Sequence, residues 1–214
     1  MKHSDEHRSP EYFQNYIKTQ RSRIEKFKQI LVGCAESEKA KLYRNISGRL
    51  KDLISAQFSN NDELSAIKKS FEEYAECLNQ VGFSSYSEYI DFLSLQLILG
   101  IEDVSIDAPS EFDDDLIKIL KASIAKEQPT LTDTLNYPEY YGVFKDYYLG
   151  NIGFNELMYY IDNKWYWSSK EFYWFQSHMR EDDIYVGYWC YIASAVIRIK
   201  GDYERLREIE RYIV

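Results

Sequence analysis

One stretch of the chain, residues 182–201, constrains the fold most strongly because it is the longest nearly uncharged run. Acidic residues mark its start (Glu181, Asp182 and Asp183), and basic residues mark its end before a glycine (Arg198, Lys200 and Gly201). Negative charge suits the N-terminus of a helix, positive charge suits the C-terminus, and glycine commonly follows the last helical residue. Apolar residues recur in this run at three- and four-residue steps on neighbouring stripes. The run therefore predicts a buried helix, with a buried strand as the alternative because its first half is β-branched and aromatic.

Caps and apolar periodicity predict further helices along the whole chain. Ser9 as N-cap and Pro10 in the first turn begin the first helix, which runs to Gly33. The others are predicted over residues 36–58, 63–82, 85–100, 110–127, 138–150, 155–167, 169–178 and 202–212. This pattern predicts an all-α protein of about ten helices in a two-part bundle, with solenoid-like stacking of helix pairs as the alternative.

Residues 101–110 interrupt the periodicity and form the best candidate boundary between two regions. We therefore expect an N-terminal helical region over residues 1–105 and a C-terminal region over residues 106–214. The second region is rich in aromatic residues, since the segment from Tyr137 to Tyr191 holds 20 of the chain's 35, including all four tryptophans. That many rings cover too many helix faces for all of them to be buried, so we expect Trp165, Trp174, Tyr188 and Trp189 mostly inside and some tyrosines at the surface.

Charge is distributed unevenly along the chain. Residues 1–51 hold 12 Lys and Arg against 6 Asp and Glu, whereas the remainder holds 14 against 29. An acidic surface disfavours direct binding of nucleic acid, because phosphates need cationic partners. It favours a basic protein partner, although acidic surfaces also serve solubility alone.

The composition also bears on the cellular compartment. Apart from residues 182–201, which carry Arg198 and Lys200, the chain has no apolar run long enough for a membrane span, and its first residues lack a signal-like apolar core. These features predict a cytoplasmic protein without membrane association. Cys34, Cys77 and Cys190 lie far apart in apolar helical patterns and are expected to be buried free thiols.

Signatures of catalysis, metal binding and cofactor binding are missing. There is no glycine-rich phosphate loop and no paired cysteine or histidine motif, and His178 has no nucleophile pattern beside it. The carboxylates of Asp113, Asp114 and Asp115 and those of Asp182 and Asp183 suit a hard cation, yet consecutive helical residues point in different directions. Complementing a helix dipole is the favoured interpretation of both clusters. The sequence predicts no enzyme, no metal site and no cofactor.

The segment Tyr185-Val186-Gly187-Tyr188-Trp189-Cys190 resembles the signature of the PoNe immunity proteins (PoNi). The resemblance extends back through Trp165-Tyr166-Trp167, Trp174 and Ser177-His178, and it is specific over about residues 155–205. It implies an immunity protein whose partner is a cognate DNase effector toxin of bacterial competition. In the family pattern an acidic residue and an alanine run follow the signature, whereas this chain has Ile192-Ala193-Ser194-Ala195, so no role of that carboxylate carries over.

Two hypotheses about function follow. The first is stoichiometric inhibition, in which an acidic surface covers the active or DNA-binding face of the toxin. Its candidate contact residues are Asp113, Asp114, Asp115, Glu181, Asp182 and Asp183, and its expected structural signature is Trp165, Trp174, Tyr185, Gly187, Tyr188 and Trp189. The second is an α-helical adaptor or ligand-binding module with no toxin partner. An enzyme with an aromatic pocket would need a titratable constellation that the sequence does not offer.

Overall fold

The computed structural model describes the backbone of residues 8–170, 174–180 and 184–208, with side chains described as far as Arg205. Within these residues every regular element is a helix and there is no strand, which confirms the predicted all-α class. The described residues divide into two compact units. The first unit contains residues 8–82, 105–107, 176–180 and 184–188, and the second contains 83–104, 108–170, 174–175 and 189–208. The division into regions 1–105 and 106–214 stays a prediction.

The first unit is built on three helices: α1 (Pro10–Gly33), α2 (Glu36–Ser59) and α3 (Leu64–Val81). Helix α1 begins as predicted, with the Ser9 hydroxyl accepting a hydrogen bond from the Tyr12 amide and with Pro10 in the first turn. Helix α2 packs along both α1 and α3. Their apolar faces form a core in which Leu53, Ile54 and Phe71 have no exposed surface.

Residues 184–188 belong to the first unit as a segment without regular secondary structure, here called the strap. The Tyr12 hydroxyl donates to the carbonyl of Tyr185 at 3.0 Å, and the Ser59 hydroxyl donates to the carbonyl of Val186 at 2.9 Å. Gly187 has φ 98°, which a right-handed helix cannot contain. The predicted helix over residues 182–201 is therefore wrong in its first half, because side chains of α1 and α2 satisfy the carbonyls that a helix would have paired internally.

The second unit contains the remaining helices, and three of them pack against α9. Its members are α4 (Tyr86–Leu99), α5 (Asp115–Ala125), α6 (Pro138–Leu149), α7 (Phe154–Tyr160), α8 (Tyr166–Ser168) and α9 (Tyr191–Ile199). A π-helical turn, Ile161–Trp165, joins α7 to α8. Helix α9 contacts α4, α5 and α6, and residues 191–197 are all buried. The apolar run thus forms a central helix as predicted, but only from Tyr191 onward.

Three other predicted helices differ from the structure. The helix predicted over residues 110–127 is divided into a 3₁₀ turn, Ser110–Phe112, and α5. In the stretch predicted as a helix over residues 169–178, the described residues form turns, followed by a 3₁₀ turn at Ser177–Met179. The C-terminal helix appears as a 3₁₀ segment, Tyr203–Glu208, and the rest of that prediction lies outside the described residues. Among the described residues no helix is both long and apolar enough to span a bilayer.

Candidate functional site

Asp114 is the buried capping residue of α5. Its carboxylate accepts hydrogen bonds from the Ile117 amide at 3.0 Å, the Tyr86 hydroxyl at 2.6 Å and the Asn136 amide at 2.7 Å. The side chain is 1% exposed. Burial, together with the hydrogen bond to this carboxylate, raises the pKa of Tyr86 well above its ordinary value. Asp114 therefore complements the start of a helix, as the favoured interpretation of the cluster predicted, and also joins three separate segments of the second unit.

Asp115 forms a second buried centre one residue later. Its carboxylate accepts a hydrogen bond from the Thr132 amide at 2.8 Å and forms an ion pair with the Lys145 ammonium at 2.9 Å. Burial alone would raise the pKa of Asp115, but the Thr132 amide and the Lys145 charge outweigh it and hold that pKa below its ordinary value. The same ion pair raises the pKa of Lys145. This ion pair fixes α5 against α6.

These two aspartates also hold the segment before α6. The Asp115 amide donates to the carbonyl of Thr134 at 3.0 Å, and the Asn136 side-chain amide donates to the carbonyl of Glu111 at 3.0 Å. The Lys145 ammonium additionally lies 3.1 Å from the carboxylate of Asp133. Residues 131–137 are thereby attached at several points to the start of α5, although they form no regular element.

Tyr137, at the end of that segment, has an unusual backbone conformation. Its φ of 52° and ψ of 57° lie in the left-handed region, which a bulky side chain disfavours, and a residue before proline is normally extended. The ring packs against Tyr86 with 5.5 Å between centroids, yet the residue is 56% exposed. Tyr86 in turn contacts Phe112 and Tyr141. The second unit therefore presents a large aromatic side chain at its surface from a rigidly held position.

Carboxylates lie on both sides of this tyrosine along the chain. Asp113 has a side chain that is 58% exposed and Asp133 one that is fully exposed, and the two pair with Lys118 at 3.7 Å and Lys145 at 3.1 Å. Glu111 and Glu139 are also exposed. We call Tyr137 and these four acids (Glu111, Asp113, Asp133 and Glu139) the Tyr137 patch. Of the predicted contact residues Asp113, Asp114 and Asp115, only Asp113 has an accessible carboxylate.

The second predicted acidic cluster, Glu181, Asp182 and Asp183, lies outside the described residues. It was expected to start the long helix in the run that follows it. Among the described residues that run becomes helical at Tyr191. The interpretation of this cluster as a complement to a helix dipole stays a prediction.

The signature residues are distributed over both units. In the first unit, Tyr185 is 1% exposed and Tyr188 is 5% exposed, and their rings meet at 4.9 Å. The Tyr188 hydroxyl lies 2.5 Å from Nδ1 of His178, so the histidine is a partly buried, hydrogen-bonded neighbour of that tyrosine. In the second unit Trp165 stacks on Trp174 at 5.4 Å. Both tryptophans and Trp189 are partly exposed, which is more exposure than predicted, while Tyr188 is buried as predicted.

The described residues contain no group of three or more His, Cys, Asp or Glu side chains arranged to hold a metal ion. The cysteines are free thiols, with Cys77 and Cys190 buried and Cys34 partly exposed. Burial raises the pKa of the Cys77 thiol to about 11, so it is protonated at neutral pH.

Sequence reasoning missed several residues that organise these sites. The buried aspartates bind residues far away along the chain, namely Lys145, Thr132 and Asn136. The strap is held by hydrogen bonds from Tyr12 and Ser59. No local pattern marks such pairs. Tyr137 had one available signal, because it precedes Pro138 at a helix start, but nothing in that dipeptide indicates its left-handed conformation.

Residues 112–213 match the family model described as PoNe immunity proteins (PoNi), C-terminal. The matched range includes Asp113, Asp114, Asp115 and Tyr137 as well as the whole signature segment. No curated protein and no solved structure matches the chain.

Proposed function

We propose that this chain, whose residues 112–213 match the family model of the PoNe immunity proteins (PoNi), C-terminal, binds a cognate bacterial DNase toxin and neutralises it stoichiometrically. The family match is the observation that carries this proposal. The protein acts as an inhibitor rather than an enzyme, and it binds the toxin rather than the DNA that the toxin cleaves.

The proposed mechanism is occlusion. A DNase must present cationic side chains to DNA phosphates, and an acidic protein surface competes for that same face. Acidic residues outnumber basic ones by 29 to 14 after residue 51. Complementary charge speeds the encounter of two proteins, while buried aromatic contacts slow their separation.

Burial divides the acidic residues proposed for contact into two roles. Asp113 has the exposed carboxylate and is proposed to face the toxin directly, together with Glu181, Asp182 and Asp183 on grounds of their charge. Asp114 and Asp115 are 1% and 0% exposed. They are proposed to act indirectly, by holding the segment that carries the exposed residues.

The site of action follows from the target. Chromosomal DNA lies in the cytoplasm of a bacterium, so a toxin that cleaves it must be met there. We therefore propose a cytoplasmic location for this protein.

A cleavage assay tests the proposal. The product of the adjacent upstream gene, which the proposal expects to be the cognate nuclease, is incubated with plasmid DNA while this protein is titrated in. Loss of cleavage near a one-to-one molar ratio, together with a complex on size exclusion, supports stoichiometric inhibition. Undiminished cleavage at tenfold excess with no complex contradicts it, and a heat-unfolded sample of the same protein serves as the control.

A further inference from the structure

Tyr137 combines exposure with a disfavoured backbone, and that combination carries a further inference. The residue is 56% exposed and has φ 52°. Left-handed conformations of bulky residues persist only where the surrounding structure enforces them, and such positions concentrate at functional sites. A tyrosine kept only for packing would not need its ring at the surface.

Hydrogen bonds on the N-terminal side of Tyr137 hold it in this backbone conformation. The preceding residue, Asn136, has its backbone amide 2.7 Å from the Asp114 carboxylate and its side chain 3.0 Å from the Glu111 carbonyl. Asp114 accepts a hydrogen bond from the Tyr86 hydroxyl, and the Tyr86 ring contacts that of Tyr137 at an interplanar angle of 47°. The position of the exposed ring is therefore set before any partner binds, which lowers the entropy cost of binding.

The chemistry around the ring indicates what it would bind. The carboxylates of Glu111 and Glu139 are exposed, and neither has a hydrogen-bonding or ion-pairing partner among the described residues. With Asp113, Asp114, Asp115 and Asp133 they give six carboxylates against the ammonium groups of Lys118 and Lys145, a formal charge of −4. Glu139 follows Tyr137 by two residues, and the carbonyl of Glu111 accepts a hydrogen bond from the neighbouring Asn136 side chain. An exposed aromatic ring on a segment that also carries unpaired carboxylates suits a guanidinium group, which stacks on a ring and pairs with acids.

We propose that Tyr137 is the anchor of the partner interface, receiving an arginine side chain from the cationic DNA-binding face of the toxin between its ring and the carboxylates of Glu111 and Glu139. This inference rests on the proposed function. It assigns to the Tyr137 patch the aromatic-plus-charge combination that dominates binding energy at protein interfaces.

The test measures binding and inhibition of the upstream-encoded nuclease by Tyr137→Ala, Tyr137→Phe and Tyr159→Ala variants. Tyr159 is the matched control, because it is 60% exposed in the same unit but lies on α7. We expect Tyr137→Ala to weaken binding about thirtyfold or more. The Phe variant, which keeps the ring, and Tyr159→Ala should each stay within about threefold of the wild type.

The thermal melting of each variant is measured in parallel, so that a loss of affinity through unfolding is recognised. If Tyr137→Ala destabilises the fold, Glu111→Gln combined with Glu139→Gln provides the second variant, since both are exposed and unpaired. We expect that pair to weaken binding about tenfold.

Three outcomes separate the two proposals. Weakened binding by folded Tyr137→Ala, with Tyr159→Ala unchanged, supports the anchor. If Tyr137→Ala and the double variant Glu111→Gln with Glu139→Gln both bind and inhibit as tightly as the wild type, the anchor is overturned. The immunity function then still stands. Absence of inhibition and binding by the wild type overturns the immunity function and the anchor together.

Discussion

The Lys145 ammonium lies 2.9 Å from the Asp115 carboxylate, and the two side chains are only 12% and 1% exposed. Removing one partner of a buried ion pair strongly destabilises the folded protein, because the remaining buried charge has no compensating charge. This pair connects α5 to α6 and, through Thr132, to the segment that carries Tyr137. This one ion pair therefore helps to hold two helices and the segment between them together.

The first prediction concerns the removal of this charge. Asp115→Asn should lower the free energy of unfolding by about 2–4 kcal/mol, since Lys145 would keep only the exposed Asp133 as a partner. The matched control is Asp113→Asn, whose side chain is 58% exposed and which should change stability by less than about 0.5 kcal/mol. Urea unfolding followed by tryptophan fluorescence measures both variants. Equal effects of the two substitutions would contradict the assigned role of Asp115.

A second prediction concerns pH. The folded protein holds the pKa of Asp115 below the reference value of 3.8, so the ion pair contributes fully above about pH 5 and is lost as pH falls through the lowered pKa. The stability difference between wild type and Asp115→Asn should therefore be constant from about pH 5 to 9 and should shrink below pH 3.8. Chemical unfolding of both proteins across this range measures it. A difference that does not change down to pH 2.5 would refute the linkage.

Local patterns determine the ends of some helices. The start of α1 and both ends of α4 follow from Ser9, Ser85 and Gly100, because caps and glycines act within one helical turn. Asp114 could likewise be predicted as a cap. Its bonds to Tyr86 and Asn136 could not, since they join residues 28 and 22 positions away.

The strap shows the opposite case, in which distant contacts override a local pattern. The periodicity of residues 184–190 is compatible with a helix, and the acidic residues before it favour one. Tyr12 and Ser59 nevertheless bind two of its carbonyls, and Gly187 takes a left-handed φ. The β-branched and aromatic residues that suggested a strand thus form neither a helix nor a strand among the described residues.

The third prediction tests these strap bonds. Tyr12→Phe and Ser59→Ala each remove a hydroxyl that donates to a strap carbonyl, and each should lower the free energy of unfolding by about 1 kcal/mol. Tyr43→Phe is the control, because Tyr43 is a partly exposed residue of α2 without a described hydroxyl bond, and its effect should stay below about 0.5 kcal/mol. Guanidinium unfolding measures the three variants. The strap assignment fails if the control costs as much as the other two substitutions.

The fourth prediction concerns the backbone strain at Tyr137. Glycine adopts a φ of 52° readily whereas alanine does not, so Tyr137→Gly should be more stable than Tyr137→Ala by about 1 kcal/mol. At Lys121, an exposed position inside α5, the order should reverse, with the glycine variant about 1 kcal/mol less stable than the alanine variant. Thermal melting of these four variants measures both differences. The same order at both positions would show that Tyr137 is not strained.

The last prediction concerns how fast the proposed partner associates. Charges at the rim of an interface act mainly on the association rate, and salt screens them over a length of about 10 Å at 0.1 M. Glu111→Gln combined with Glu139→Gln should therefore slow association with the upstream-encoded nuclease about fivefold at low salt and hardly at all near 0.5 M NaCl. Glu36→Gln is the matched control, because Glu36 is an exposed acid of the first unit whose charge is already paired with Lys39. Stopped-flow binding at several salt concentrations measures the rates. Dependence on net charge alone predicts that Glu36→Gln, which removes one charge, slows association about half as much on a logarithmic scale as the pair, which removes two. That result would show that the Tyr137 patch has no special part in guiding the partner.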